Sequence, residues 1–369
     1  MDRRVSAGPV ERRFLREALL SVGGVTPGLP DAVAAVRDWN AVEALAAAGS
    51  VRESVFSALR SAGLANAVPE PTRGRLQEAH TAAVACNAEL MYEAVRVQEI
   101  LRKAGVESIA LKGTALLAAH YPDLGARHVG DVDLLVREEG GQGAEVALRA
   151  AGFRDALQDT VRHDGVARGG ERWSTLDEVR LESSRGVPID LQVAVAGQQV
   201  ELSDVDGVFE RSRVVRWQGR SLRIPGAADL AAGLCLHVFA GHPRCEPFLP
   251  RHLADLAVLF AGGSIGWDDV ARVAPGSAGR VAIARSRRLL EVGDPGWLAI
   301  SEQAIRVRWN DWKKVALSEG APQGHVVRLV FPAREYMAQR YGVSPTSPWL
   351  PLLYAWRPLR GIWGLLSGK

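Results

Sequence analysis

The stretch Leu111–Val136, LKGTALLAAHYPDLGARHVGDVDLLV, constrains the fold more than any other part of the chain. A strand-like run, Glu107–Leu111, leads into it and breaks at a Lys-Gly-Thr turn. A helical segment over Ala115–Tyr121 follows, and after a turn-rich connection a second strand is predicted over Asp131–Val136. The sequence therefore predicts a strand–turn–helix–strand unit.

Two carboxylates, Asp131 and Asp133, lie two positions apart at the start of the second strand. A strand places residues i and i+2 on the same face, so these side chains are expected to project together. Carboxylates held this close repel one another unless a cation lies between them. Hard oxygen ligands suit Mg²⁺ or Mn²⁺, which proteins bind through one or two carboxylates and substrate phosphates.

The order of strand, Gly-Thr turn, helix and Asp-x-Asp strand resembles the polymerase-β-type nucleotidyltransferase superfamily. The fuller string LKG…YPD…R…DVDLLV is more narrowly similar to a poorly characterised bacterial nucleotidyltransferase family found beside peptide and natural-product biosynthesis genes. The main similarity covers Glu107–Val193.

This resemblance implies metal-dependent nucleotidyl transfer with a third carboxylate on a later strand. Asp190, in VPIDLQV, is the candidate, and it shares a strand face with Gln192. The family implies that Asp131 and Asp133 bridge two metal ions, while Asp190 holds the ion on the nucleophile side and assists deprotonation. Gln192 stands where the family often has histidine, so its role stays open.

Four residues are candidates for nucleotide binding: Lys112, Gly113, Thr114 and Arg127. Glycine allows the backbone to approach phosphate closely, and N–H groups at a helix start attract anions. The Thr114 hydroxyl adds a donor, and Lys112 and Arg127 could contact the triphosphate. The alternatives are a surface lysine at a strand end and an ordinary loop arginine.

The expected fold is α+β, a small mixed-sheet nucleotidyltransferase core flanked by two helical domains. The predicted domains are an N-terminal helical cap (1–105), the core (106–224) and a C-terminal helical domain (225–369). The cap includes a predicted helix over Asp31–Gly49 and a long one over Thr72–Ala104. Arg127, His237 and the polar loop 153–175 are the candidates for acceptor selection.

Net charge, cysteine content and the length of apolar runs indicate the class of partner and the cellular compartment. A net charge of +3 over 369 residues disfavours a protein built throughout to bind nucleic acid, although the tail after Ser301 is locally basic and rich in Trp. Three scattered cysteines and no apolar leader are typical of a cytoplasmic protein. No apolar run is long enough to span a membrane.

The predicted activity is Mg²⁺-dependent (or Mn²⁺-dependent) transfer of a nucleoside monophosphate, AMP from ATP, to a hydroxyl-type acceptor. The acceptor is expected to be a peptide, a protein or a small molecule in a biosynthetic pathway. One alternative is a catalytically silent nucleotide-binding or interaction protein with the same fold. Another is nucleotide addition to an RNA 3′ end, which the near-neutral charge disfavours.

Overall fold

The computed structural model describes residues 8–155, 178–193, 204–241 and 249–291. In these ranges the chain forms twelve α-helices and seven strands. The helices are α1 (Pro9–Leu20), α2 (Leu29–Ala35), α3 (Trp39–Ala48), α4 (Arg52–Ser61), α5 (Glu70–Lys103), α6 (Lys112–Ala119), α7 (Glu138–Ala150), α8 (Val205–Arg211), α9 (Ala227–Leu236), α10 (Leu249–Phe260), α11 (Trp267–Val273) and α12 (Ser277–Glu291). The strands are β1 (Ser108–Ala110), β2 (Val132–Val136), β3 (Arg154–Asp155), β4 (Glu178–Glu182), β5 (Pro188–Gln192), β6 (Arg213–Trp217) and β7 (Arg220–Ile224).

Five strands form one mixed sheet in the order β1-β2-β5-β4-β3. Strand β1 pairs antiparallel with β2, β2 pairs parallel with β5, and β5 pairs antiparallel with β4. Every residue of β2 is buried, and it lies inside the sheet between β1 and β5. Helices α5, α6 and α7 pack against β2. These observations confirm the predicted α+β class with a mixed sheet flanked by helices.

The long helix α5 follows the predicted pattern. A stripe of residues in its second half is buried, because residues three and four apart share one face of a helix. The stripe consists of Met91, Ala94, Val95, Gln98 and Leu101. The helix stops at Lys103, and Gly105 then takes the left-handed conformation (φ +76°) that ends many helices.

Two helix boundaries differ from the sequence prediction. The single helix expected over Asp31–Gly49 is two helices, α2 and α3, because Asp38 leaves the helical conformation and caps the second. Its carboxylate accepts hydrogen bonds from the backbone N–H groups of Asn40 and Ala41. Helix α6 begins at Lys112 instead of Ala115, so the Lys-Gly-Thr turn is the first turn of this helix.

The segment between β5 and α9 contains a short helix, α8, and a hairpin, β6–β7. Neither element is predicted from the sequence. Two alternating runs, RVVRW and RSLRI, flank Gln218 and Gly219. Both of these turn residues have positive φ (46° and 80°), as a tight two-residue hairpin requires. Strand β7 contacts β1, so the hairpin extends the core beside the sheet.

The C-terminal helical region agrees with prediction as far as it is described. Helix α10, predicted over 250–260, packs against α1 from the N-terminal cap. The helices predicted over 300–319 and 324–341, the Trp-rich tail, and loop residues 156–175 lie outside the described residues. The three-domain division therefore stays a prediction. Of the helices described, none combines the length and apolar character needed to cross a membrane.

Candidate active site

The three carboxylates predicted to bind metal lie near the start of two neighbouring strands. Strands β2 and β5 run parallel, and Asp133 pairs directly with Asp190. Residues paired in register project from the same face of a sheet, so these two carboxylates are neighbours. Asp131 lies one residue before β2 and shares that face through the two-residue repeat. The structure thus brings together Asp131, Asp133 and Asp190, which we call the carboxylate cluster.

Members of the carboxylate cluster differ in their contact with solvent. Asp133 and Asp190 are only 4% and 3% exposed, whereas the Asp131 side chain is 38% exposed. Partial burial, together with the charges of Asp133 and Asp190, raises the pKa of Asp131 to about 6. Lys112 and Arg180 lie close enough to oppose this increase. Asp131 is therefore the most exposed member of the cluster, and its pKa lies well above that of an ordinary aspartate.

Two side chains contact Asp133. The Lys112 ammonium lies 2.6 Å from Asp133 Oδ1, and the Gln192 amide donates to the same oxygen at 2.6 Å. Gln192 therefore lies on the face of β5 that the sequence predicts, beside the cluster. Its contact gives it a function in orienting the Asp133 carboxylate.

Asp190 is held by Arg180, which lies directly opposite it on β4. Arg180 Nε and Nη2 donate to the two oxygens of Asp190 at 2.6 and 2.5 Å. The same Nη2 atom lies 3.5 Å from Asp131 Oδ2. The two hydrogen bonds between Arg180 and Asp190 make this the strong, bidentate type of arginine–carboxylate pair.

The first turn of α6 lies beside the carboxylate cluster. Leu111 donates its backbone N–H to the Asp133 carbonyl at 2.9 Å, which fixes the turn to β2. Lys112 has φ +45°, a left-handed conformation that is uncommon for a residue with a side chain. This backbone geometry accompanies the contact of its ammonium with Asp133.

Gly113 and Thr114 are both buried in this turn. A Cβ added at Gly113 would collide with Arg127 Nη1 and lie 2.8 Å from Val129 Cγ1. Glycine is therefore required by the packing of the protein itself at this position. Thr114 is fully buried, and its hydroxyl has no hydrogen-bond partner among the described residues.

Arg127 is engaged away from the carboxylate cluster. Its Nε and Nη2 atoms donate to Asp255 of α10 at 2.7 and 3.1 Å. The Tyr121 hydroxyl donates to the same carboxylate at 2.7 Å. All three side chains are buried, and burial with the Asp255 charge raises the pKa of Tyr121. The Arg127 guanidinium is thus bound by Asp255 and packs behind Gly113.

The loop that carries Arg127 is held by side chains of the neighbouring helices. Asn87 of α5 donates to the carbonyls of Leu124 and Arg127 at 2.6 and 2.5 Å and accepts from the Val129 N–H at 3.1 Å. The remaining side chains of α4 and α5 that hydrogen-bond this loop are Glu53, Ser54, Ser57, Arg60 and His80. The loop is therefore a fixed part of the structure beside the first turn of α6.

Among the residues predicted to select the acceptor, His237 is half-buried. It begins a π-helical turn, His237–Gly241, that follows α9. The loop 156–175 lies outside the described residues. An open, mainly apolar depression of about 280 Å³, including solvent, adjoins Lys112 and is lined by side chains of α8 and α9.

The donor chemistry of the carboxylate cluster fits a divalent cation, because three carboxylates converge from adjacent strands. However, no group of three or more His, Cys, Asp or Glu side chains in the described ranges has the arrangement needed to hold a metal ion. Lys112 contacts Oδ1 of Asp133, and Arg180 contacts both oxygens of Asp190.

Two functional contacts were not predicted from the sequence. Arg180 faces Asp190 because the strands joined by Ser-Ser-Arg-Gly form a hairpin. Knowledge of the register would therefore have revealed this pair. Asp255 lies in an apolar helix, where a carboxylate needs a counter-charge, but Arg127 is 128 positions away in sequence.

A protein-family model described as an uncharacterised nucleotidyltransferase matches residues 35–280, about two thirds of the chain. The matched range contains the carboxylate cluster, the first turn of α6 and Asp255. No curated protein matches the sequence.

Proposed function

The chain belongs to an uncharacterised nucleotidyltransferase family, and we propose that it transfers AMP from ATP to a hydroxyl acceptor in a Mg²⁺-dependent reaction. The observation that carries this proposal is the pairing of Asp133 with Asp190 on adjacent parallel strands, with Asp131 beside them. Three carboxylates next to a helix start suit a metal-bound triphosphate.

We assign the triphosphate to the first turn of α6. Backbone N–H groups at a helix N-terminus attract anions, and Lys112 adds a positive charge beside Asp133. Gly113 and Thr114 are buried, whereas Lys112 is partly exposed, so the phosphate contact of this turn is assigned first to Lys112. Arg127 supports this turn from behind through its packing on Gly113.

In the proposed reaction, the acceptor oxygen forms a bond to the α-phosphorus of ATP, and the bond from that phosphorus to the bridging oxygen of the β-phosphate breaks. Pyrophosphate leaves, and the hydroxyl proton passes to a carboxylate of the cluster. Asp131, Asp133 and Asp190 would hold Mg²⁺, which supplies charge neutralisation on the triphosphate.

The acceptor is proposed to be a hydroxyl of a peptide, a protein or a small molecule.

The test is label transfer from ATP. The purified chain is incubated with Mg²⁺ and ATP labelled at either the α- or the γ-phosphate, in the presence of peptide, protein and small-molecule acceptor fractions. Label is expected to reach an acceptor from the α-position alone. Asp133→Asn should reduce the transfer at least about 100-fold, because a cluster carboxylate is lost.

Glu89→Gln is the matched control, since Glu89 is an exposed carboxylate on α5. It should transfer label as the wild type does. Transfer from the γ-position would indicate a kinase, and undiminished transfer by Asp133→Asn would refute the assigned site. Label found in an added RNA oligonucleotide would instead favour nucleotide addition to RNA.

A further inference from the structure

Arg180 forms the most complete contact in the carboxylate cluster. It lies opposite Asp190 in the β4–β5 register and binds both oxygens of that carboxylate. Asp190 is 3% exposed, and a buried carboxylate without a counter-charge is strongly destabilising. Arg180 therefore supplies the positive charge that Asp190 requires in this arrangement.

We propose that Arg180 and a divalent metal ion are alternative counter-ions of Asp190, so that metal binding requires Arg180 to leave. This inference rests on the proposed metal-dependent function. Arg180 uses both Asp190 oxygens and also approaches Asp131 to 3.5 Å. A Mg²⁺ ion binds carboxylate oxygens at about 2.0–2.1 Å. The ion and the guanidinium would therefore have to occupy the same position.

The burial of the two partners indicates which of them moves. The Arg180 side chain is 34% exposed, whereas the Asp190 side chain is 4% exposed and fixed in the central part of the sheet. A partly exposed arginine can turn its charged end to water while its aliphatic part stays packed. The departure of Arg180 costs its pair with Asp190, which the charge of the metal ion replaces, and the carboxylates keep their positions.

The experiment measures Mn²⁺ binding directly, by the decrease in the electron paramagnetic resonance signal of free Mn²⁺, without nucleotide. Arg180→Gln removes the competing cation and should lower the Kd for Mn²⁺ by about tenfold. Arg180→Lys keeps the charge but lacks the two-point contact, so its Kd should lie between those of the wild type and Arg180→Gln.

Arg185→Gln is the matched control, because Arg185 lies in the turn of the same hairpin, is 51% exposed and contacts Glu93 instead of the cluster. It makes the same change in net charge and should leave the Kd within about twofold of the wild-type value. Thermal unfolding without metal checks that each variant is folded before titration.

An unchanged or higher Kd in folded Arg180→Gln would overturn the inference, since Arg180 would then support the metal-binding geometry. A tenfold decrease shared by Arg185→Gln would also overturn it, because the effect would come from net charge alone. If neither the wild type nor any variant binds Mn²⁺ at millimolar concentration, the competition is likewise overturned. The metal-dependent function is judged separately, by whether label transfer from ATP requires Mg²⁺, so the two failures are distinguishable.

Discussion

Lys112 combines an unfavourable backbone with a functional side chain. Its φ of +45° is shared by few residues with side chains: among those described, only Ser50 and Gln218 also have positive φ without being glycine. A left-handed conformation costs roughly 1–2 kcal/mol for a residue with a Cβ. The ammonium contact with Asp133 at 2.6 Å offsets that cost. Backbone strain of this kind occurs often at functional sites.

This strain predicts the relative stability of two substitutions. Lys112→Gly and Lys112→Ala both remove the ion pair, but only glycine adopts positive φ without strain, so Lys112→Gly should be more stable by about 1 kcal/mol. Urea unfolding measures the difference. At Lys103, in the last turn of α5, the order should reverse, because alanine is favoured in a helix. If the alanine variant is more stable than the glycine variant at both positions, the conformation of Lys112 is not strained.

The raised pKa of Asp131 predicts that the free energy of unfolding depends on pH. Its pKa of about 6 in the folded protein exceeds the value of about 3.9 in an unfolded chain. The folded state therefore holds this proton more tightly, and the free energy of unfolding falls as pH rises from about 4 to about 6. Because the side chain is partly exposed, the loss should be about 1 kcal/mol.

Asp131→Asn removes this loss. In EDTA, the variant should gain about 1 kcal/mol relative to wild type at pH 7.5 and nothing near pH 4, as measured by urea unfolding at both pH values. Glu89→Gln should show no such difference. A gain for Asp131→Asn that is equal at the two pH values would contradict the raised pKa.

At the scale of elements, the loop between α6 and β2 joins three parts of the structure. Asn87 holds it to α5, Ser54 holds it to α4, and Asp255 of α10 binds its Arg127. Arg127 then packs on Gly113 in the first turn of α6. Helix α10 thereby supports the proposed phosphate site without contacting it.

The buried pair of Arg127 and Asp255 should be costly to break on one side only. Arg127→Met leaves a buried carboxylate and Asp255→Leu leaves a buried guanidinium, so each should lower the free energy of unfolding by about 3–5 kcal/mol. The double substitution removes both charges and should cost less than either single one. Denaturant unfolding of the four proteins gives the coupling energy.

The control is Glu291→Gln, which breaks the exposed pair between Arg287 and Glu291. This variant should leave the unfolding midpoint unchanged. Additive losses in the double variant would show that the buried pair acts as two independent side chains.

Local patterns predicted most of the elements that form the candidate site. The period of two placed Asp131 and Asp133 on one face, and the alternation around Asp190 placed its side chain toward them. The start of α6 was placed three residues late, because a helix that opens with a left-handed lysine has no propensity signal. The Arg127–Asp255 pair was not predicted, since only tertiary packing brings together residues so far apart in sequence.

At the scale of the molecule, the helices on the C-terminal side pack around a buried histidine. His252 of α10 is 1% exposed, and its Nε2 lies 2.9 Å from Ser286 Oγ of α12. Its Nδ1 has no hydrogen-bond partner among the described residues, and the ring lies edge-on to Phe239. Burial lowers the pKa of His252 to about 4, so the folded protein keeps this ring neutral.

This buried ring should lower stability on the acid side of the profile, in the same direction as His120, whose pKa burial also lowers to about 4. An unfolded histidine gains a proton near pH 6.5, whereas folded His252 does not until about pH 4, so the free energy of unfolding falls as pH decreases through this range. Between pH 7 and pH 5 the loss should be about 2 kcal/mol. Asp131 acts in the opposite direction, but its exposure limits it to about half that size. The net effect is therefore a loss of stability on acidification.

His252→Gln tests the source of this loss. The variant cannot gain the proton, so between pH 7 and pH 5 it should lose about 2 kcal/mol less than the wild type in urea unfolding. Ser286→Ala removes the hydrogen-bond partner but keeps the imidazole, so its stability should be lower at both pH values by a similar amount. If His252→Gln loses as much stability on acidification as the wild type, protonation of other groups causes the effect. In that case the packing of α10 against α12 does not depend on a neutral histidine.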